Sequence, residues 1–159
     1  MIAYNVDELR TNSAHAANLL FSLWDIWREA SDDALLPEER IVRDAWIYDT
    51  ANGNGFWDQL VNERYDEIAT GLDALRRLGS PNLNDYVESI AAAFRRFGSD
   101  CFDPESIEAA NHRGEPPREV LEAAEKPFLQ GIWDGAIIEA AQNYVERHIE
   151  VFRKRHKGV

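Results

Sequence analysis

The chain has 159 residues and a mass of 18.2 kDa, which fits one domain large enough to hold itself together without disulfide or metal. Its 17 Lys and Arg against 29 Asp and Glu leave a net charge of −12 and a pI near 4.7. Such a field repels nucleic acid and anionic membranes and attracts basic partners, so a direct nucleic-acid binder is not expected.

Helical periodicity runs through the chain from its start. Leu9, Ala16, Leu20, Leu23 and Trp27 fall on one stripe, so the first helix is expected over about residues 7–30. Pro37-Glu38-Glu39 reads as the opening turn of a second helix, with Ile41, Val42, Ala45 and Trp46 as its apolar face. Asn52-Gly53-Asn54-Gly55 is the strongest turn signal and reads as a helix–helix corner. Phe56, Trp57, Leu60 and Val61 make a short third helix, ended by Asn62, whose side chain competes for backbone groups and tolerates left-handed backbone. Ile68, Leu72, Leu75 and Leu78 define a fourth helix closed by Gly79. Leu83, Val87, Ile90 and Phe94 define a fifth opened by Asn82. Asp103-Pro104-Glu105 has the chemistry of an N-cap and first turn for a sixth. Glu115–Lys126 reads as a seventh stopped by Pro127, and Ile138, Ala141, Val145 and Phe152 mark one long last helix. No strand alternation occurs, so the expected fold is a single all-α domain of about seven or eight helices spanning residues 1–159.

Motifs for catalysis are scarce. There is no phosphate-cradling glycine loop with a lysine, no nucleophile elbow and no H-E-x-x-H. His15, His112, His148 and His156 stand far apart in sequence. Glu108 and His112 are four residues apart, which suits either a pair of metal ligands or an ordinary solvated helix pair. Cys101 has no adjacent basic residue to lower its pKa and reads as a structural thiol. One cysteine fits a reducing compartment. Met1–Glu8 lacks the basic start and apolar core of a signal peptide, and the nearly uncharged stretch Thr11–Trp24 is too short and polar to span a bilayer. The expectation is a cytoplasmic protein with no membrane role, no cofactor and no metal. Trp24, Trp27, Trp46, Trp57 and Trp133 mostly occupy apolar helical positions and read as core.

Carboxylates carry the remaining information. Asp25, Glu29, Asp32 and Asp33 lie on the polar side of the first helix and its end, and Glu115, Glu119, Glu122 and Glu125 recur along the seventh. Residues three or four apart on a helix sit about 5–6 Å apart, close to the spacing of successive phosphates on a nucleic-acid strand. Such rows either present charge to a basic protein or keep the chain soluble. The tail cations Arg153, Lys154, Arg155 and Lys157 complement a helix C-terminus.

The segment from Trp46 to Asn62 has an order of residues with a known counterpart. Its helix, then Asn52-Gly53-Asn54-Gly55-Phe56, Gln59 and Asn62, resembles the hallmark of the bacterial DNA-mimic protein family of the DMP nineteen type. That hallmark is a helix followed by Asn-Gly-Gly-Phe-x-Gln, an aromatic or apolar pair and Asn, and here Asn54 separates or replaces one of the paired glycines. Ala69, Ala74 and Leu78-Gly79-Ser80 resemble the family's next helix and corner, and Tyr144–His148 its closing helix, so the likeness covers about residues 38–152. The resemblance implies an acidic all-α protein, a possible homodimer, in which Asn52, Gly53, Gly55, Phe56, Gln59 and Asn62 are structural. It also implies occlusion of the DNA-binding surface of a transcriptional regulator, for example of the helix-turn-helix kind. The expected function is therefore a non-enzymatic acidic protein-binding module. The alternatives are an immunity-type protein that neutralises a basic partner and an enzyme built on scattered carboxylates and histidine.

Overall fold

A computed structural model describes residues 2–12 and 18–154. Expectations that involve His15, Ala16, Arg155, His156 and Lys157 lie outside the described residues. Ten α-helices and no strand occur among the described residues: α1 (Val6–Asn12), α2 (Asn18–Trp27), α3 (Pro37–Ala51), α4 (Phe56–Val61), α5 (Tyr65–Arg77), α6 (Pro81–Arg96), α7 (Pro104–His112), α8 (Arg118–Trp133), α9 (Ala136–Arg147) and α10 (Ile149–Lys154). Short 3-10 turns cover Asp32–Ala34 and Asn52–Asn54. The domain is thus all-α, as the periodicity requires. The count exceeds the expected seven or eight because the last helix is interrupted at His148 and the described residues of the first are Val6–Asn12 and Asn18–Trp27.

Four boundaries differ from the sequence reading. The last helix stops at His148, whose N–H is shared between the carbonyls of Tyr144 (3.1 Å) and Val145 (3.2 Å). Its Nδ1 lies 2.9 Å from the Tyr144 carbonyl and its ring stacks on Tyr144, so a local side-chain bond competes with continuation of the helix. Pro127 does not stop α8 but sits inside it. Pro127 is exposed and removes only the bond to the Ala123 carbonyl, which is also on the solvent side. Buried Leu121 and Ile132 anchor the helix on either side of it, and Ser89 Oγ donates to the Ala124 carbonyl at 2.7 Å. Packing of α8 on α6 therefore outweighs the proline cost of about 3 kcal/mol. The same helix starts at Arg118, so Glu115 lies before it, ahead of a cis Glu115–Pro116 peptide. At the start of α6, Ser80 is the cap and Pro81 the first helical residue, rather than Asn82.

Contacts run from α3 to α5, α6, α8, α9 and back to α3, so five helices close a ring around one core. Tyr48, Leu72, Leu75, Tyr86, Ile90, Phe94, Leu121 and Ile137 fill it with almost no solvent exposure, each large side chain worth about 1.5–3 kcal/mol on transfer from water. The short α4 lies against α8 and α5, α7 lies on α5, and α1, α2 and α10 cover α3 and α9. Trp27 stacks on Phe152 with centroids 5.8 Å apart, which ties α2 to α10. Trp27 and Trp46 are buried and Trp24 and Trp57 half-buried, whereas Trp133 is exposed at the end of α8. The core reading therefore holds for four of the five tryptophans and fails for Trp133.

Candidate functional site

The corner after α3 is built from its own amides and one distant carboxylate. Asn52 closes α3, and Gln59 Nε2 donates to Asn52 Oδ1 at 2.8 Å, both side chains being buried. Gly55 has φ +93, a left-handed conformation that side chains resist, whereas Gly53 is exposed and does not need it. Phe56 is fully buried and meets Phe94 edge-on at 5.9 Å. Tyr48 and Tyr86 share a hydrogen bond of 2.5 Å beside these amides, and burial raises both phenols far above their ordinary value. Asn62 ends α4 by donating from Nδ2 to the Asp58 carbonyl at 2.8 Å, but its own φ is −85; the left-handed residue is its neighbour Glu63, φ +55.

Glu125 belongs to this corner and not to a surface row. It is only 3 % exposed, and its Oε2 accepts the Phe56 N–H at 2.9 Å. A Cβ added at Gly55 would stand 2.9 Å from Glu125 Oε1. Burial raises the Glu125 pKa, and the bond from the Phe56 amide works against that shift. Its placement among acidic partner-binding residues is thus corrected: the helical spacing that aligns Glu122 with Glu125 also turns Glu125 onto α4.

The other expected carboxylates reach the surface in two separate sets. In the first, Asp25 and Glu29 have side chains 69 % and 88 % exposed, with Arg28 3.9 Å and 3.7 Å away. The helix ends at Trp27, so Glu29 lies on the following turn, and Asp32 and Asp33 on the 3-10 turn after it. Asp32 is committed to Arg43 at 2.6 Å, and that bond is the main reason its pKa lies below the ordinary carboxylate value. In the second set, Glu119 and Glu122 are exposed on α8, Glu122 bonded to Arg118 at 2.7 Å, while Glu115 pairs with Arg113 at 3.3 Å ahead of the helix.

Two charged residues have structural roles that go beyond the sequence reading, which places Glu39 in the opening turn of α3 and says nothing of Arg43. Glu39 is fully buried, accepting from Leu36 N at 2.8 Å and from Tyr4 OH at 2.5 Å, so it both caps α3 and ties the N-terminal segment to it. Arg43 is 8 % exposed and donates to the Ala30 carbonyl, Asp32 and Asp44. A carboxylate three residues after the start of a helix is a readable signal for Glu39; no local pattern marks Arg43. Cys101 is buried, which pushes its thiol up to about 12. Among the described residues no group of three His, Cys, Asp or Glu side chains is placed to hold a metal ion, and no helix is long and apolar enough to cross a membrane.

Comparison with protein-family models, with characterised proteins and with solved structures returns no match. The likeness of the Trp46–Asn62 segment to the DNA-mimic hallmark therefore rests on that segment's own residues.

Proposed function

We infer that the protein is a non-enzymatic binding module that engages a basic protein surface through exposed carboxylates. The observation that carries this reading is the set at the end of α2: in a chain of net charge −12, Asp25, Glu29 and Asp33 are exposed, with Arg28 as the cation beside the first two. Exposed carboxylates with little local compensation steer a basic partner into encounter. Glu119 and Glu122 on α8 offer a second acidic contact. The finer form of the reading is DNA mimicry, in which the module occupies the DNA-binding face of a regulator such as a helix-turn-helix protein. Its support is the acidic surface together with the Asn52–Asn62 resemblance.

The experiment is binding of a candidate regulator with and without competing duplex DNA. Salt releases the complex, because exposed charges are screened beyond about 8 Å at physiological ionic strength. Duplex DNA displaces the module from the regulator. The double reversal Asp25→Lys, Glu29→Lys slows association several-fold with a smaller effect on dissociation. A regulator that holds DNA and the module together overturns occlusion. A partner that is basic but binds no DNA assigns the module to the immunity-type class.

A further inference from the structure

A groove of about 500 Å³ runs between the first half of α3 and the face of α5, closed at one end by Phe102 and Pro104. Its size falls in the range of small-molecule sites, and it combines an apolar floor with a few convergent polar groups. The floor is Ile41, Ala69 and Ala74. The charges on its walls are unusual for this molecule. Asp32 and Asp44 share Arg43, and Asp73 is bonded by both Arg76 and Arg77. Asp103, next to Pro104, caps α7 through the Glu105 N–H. Arg40 lies near enough to Asp32 and Asp44 to act on both, yet it makes no ion pair within 4 Å and no side-chain hydrogen bond among the described residues. Three carboxylates, Asp32, Asp44 and Asp73, and two guanidinium groups, Arg40 and Arg77, line the groove; Arg43 and Arg76 are bonded to those carboxylates from outside the lining and bring the arginines of the cluster to four, inside a chain of net charge −12.

A guanidinium carries five N–H donors in a planar fork that matches a carboxylate. Arg40 holds that fork in a half-buried position where its side-chain donors have no partner among the described residues. Arg77 spends Nε on Asp73, at 2.7 Å. We propose that the groove binds a small organic acid, its carboxylate gripped by the Arg40 fork and its apolar body laid on Ile41, Ala74 and Phe102. A cation is the worse fit, because each lining carboxylate already has an arginine bonded to it. The groove adjoins the first set of exposed carboxylates, sharing Asp32 with it, but its test needs no macromolecular partner.

The test follows amide resonances of the full chain during titration with phenylacetate and, separately, with 2-phenylethylammonium at matched ionic strength. Phenylacetate at roughly 10 mM saturates a site of millimolar affinity. Saturable shifts are expected at residues 38–44, 69–77 and 102–103, with the amine producing none there. Arg40→Ala weakens binding about tenfold or more, as loss of a charged hydrogen bond requires, and Arg40→Lys also weakens it because the fork is gone. Arg118→Ala, at the start of α8 where it pairs with Glu122, leaves it unchanged. The proposal is overturned if phenylacetate gives no saturable shift, if the amine saturates the same residues at equal concentration, or if both Arg40 variants bind as the parent does.

Discussion

Gly55 is the residue on which the corner turns. Two restrictions coincide there: a backbone at φ +93 and a buried carboxylate 2.9 Å from where a Cβ would stand. Gly55→Val should cost about 2–4 kcal/mol, the sum of left-handed strain and overpacking, while Gly53→Ala, with open space around it, should stay within about 0.5 kcal/mol. Thermal unfolding of the pair separates them; equal midpoints would refute the assignment. Asp49 poses a different residue-scale question. It is half-buried on α3, and burial lifts its pKa to about 6 from 3.8. Because the folded state binds this proton more tightly, stability falls as pH rises from about 4 through 6 and stays low above that. Asp49→Asn should therefore raise the unfolding midpoint at pH 7.5, and the gain should fade as the pH is lowered to 4. A constant gain across that range would remove the titration argument.

At the level of elements, the crossing of α3 and α5 decides how closely the ring can close. A Cβ built on Gly71 would meet Tyr48 Cβ and ring atoms at 2.6 Å, so the two helices approach more closely than any side chain at position 71 allows. Glycine inside a helix costs about 0.5–1 kcal/mol relative to alanine, and here that cost is offset by the approach it permits. Gly71→Ala is expected to lower stability by about 1–3 kcal/mol in denaturant melts despite its better helix propensity. A rise in stability would mean that Tyr48 swings aside freely. The turn between α2 and α3 is held differently, by Arg43 reaching the Ala30 carbonyl and Asp32. For that reason charge reversal at Asp32 would disturb the fold as well as the surface, and Asp25 and Glu29 are the cleaner probes of partner binding.

For the whole molecule, function lies in what the surface meets. The acidic set after α2 favours a basic protein, and the mixed-charge groove between α3 and α5 favours a small acid. A homodimer is a separate proposal, resting on the family resemblance and on Trp133, 57 % exposed at the end of α8. Light scattering should then give about twice 18.2 kDa at high concentration, and Trp133→Glu should return the monomer mass. A mass near 18.2 kDa at every concentration would exclude the dimer.

The all-α class, the positions of α3 to α7 and the burial of Phe56 were legible in the sequence, because apolar period, turn glycines and caps are local properties of the chain. Gly55 and Asn52 could be singled out on the same grounds. The fate of each charge was not local. Glu122 and Glu125 look alike along α8, yet one bonds Arg118 at the surface and the other is buried against Phe56 N, since α4 covers only one side of the helix. Pro127 reads as a stop because its local cost is real, and only the packing of α8 on α6 outweighs it. Arg43 and Gly71 likewise take their roles from residues 11 and 23 positions away in the chain, where no pattern within one helix can point, and Glu39 adds to its locally readable cap a bond from Tyr4, 35 positions away. Local propensity thus set what the segments are, and the close approach of those segments decided which polar groups were drawn inside and which were left to meet a partner.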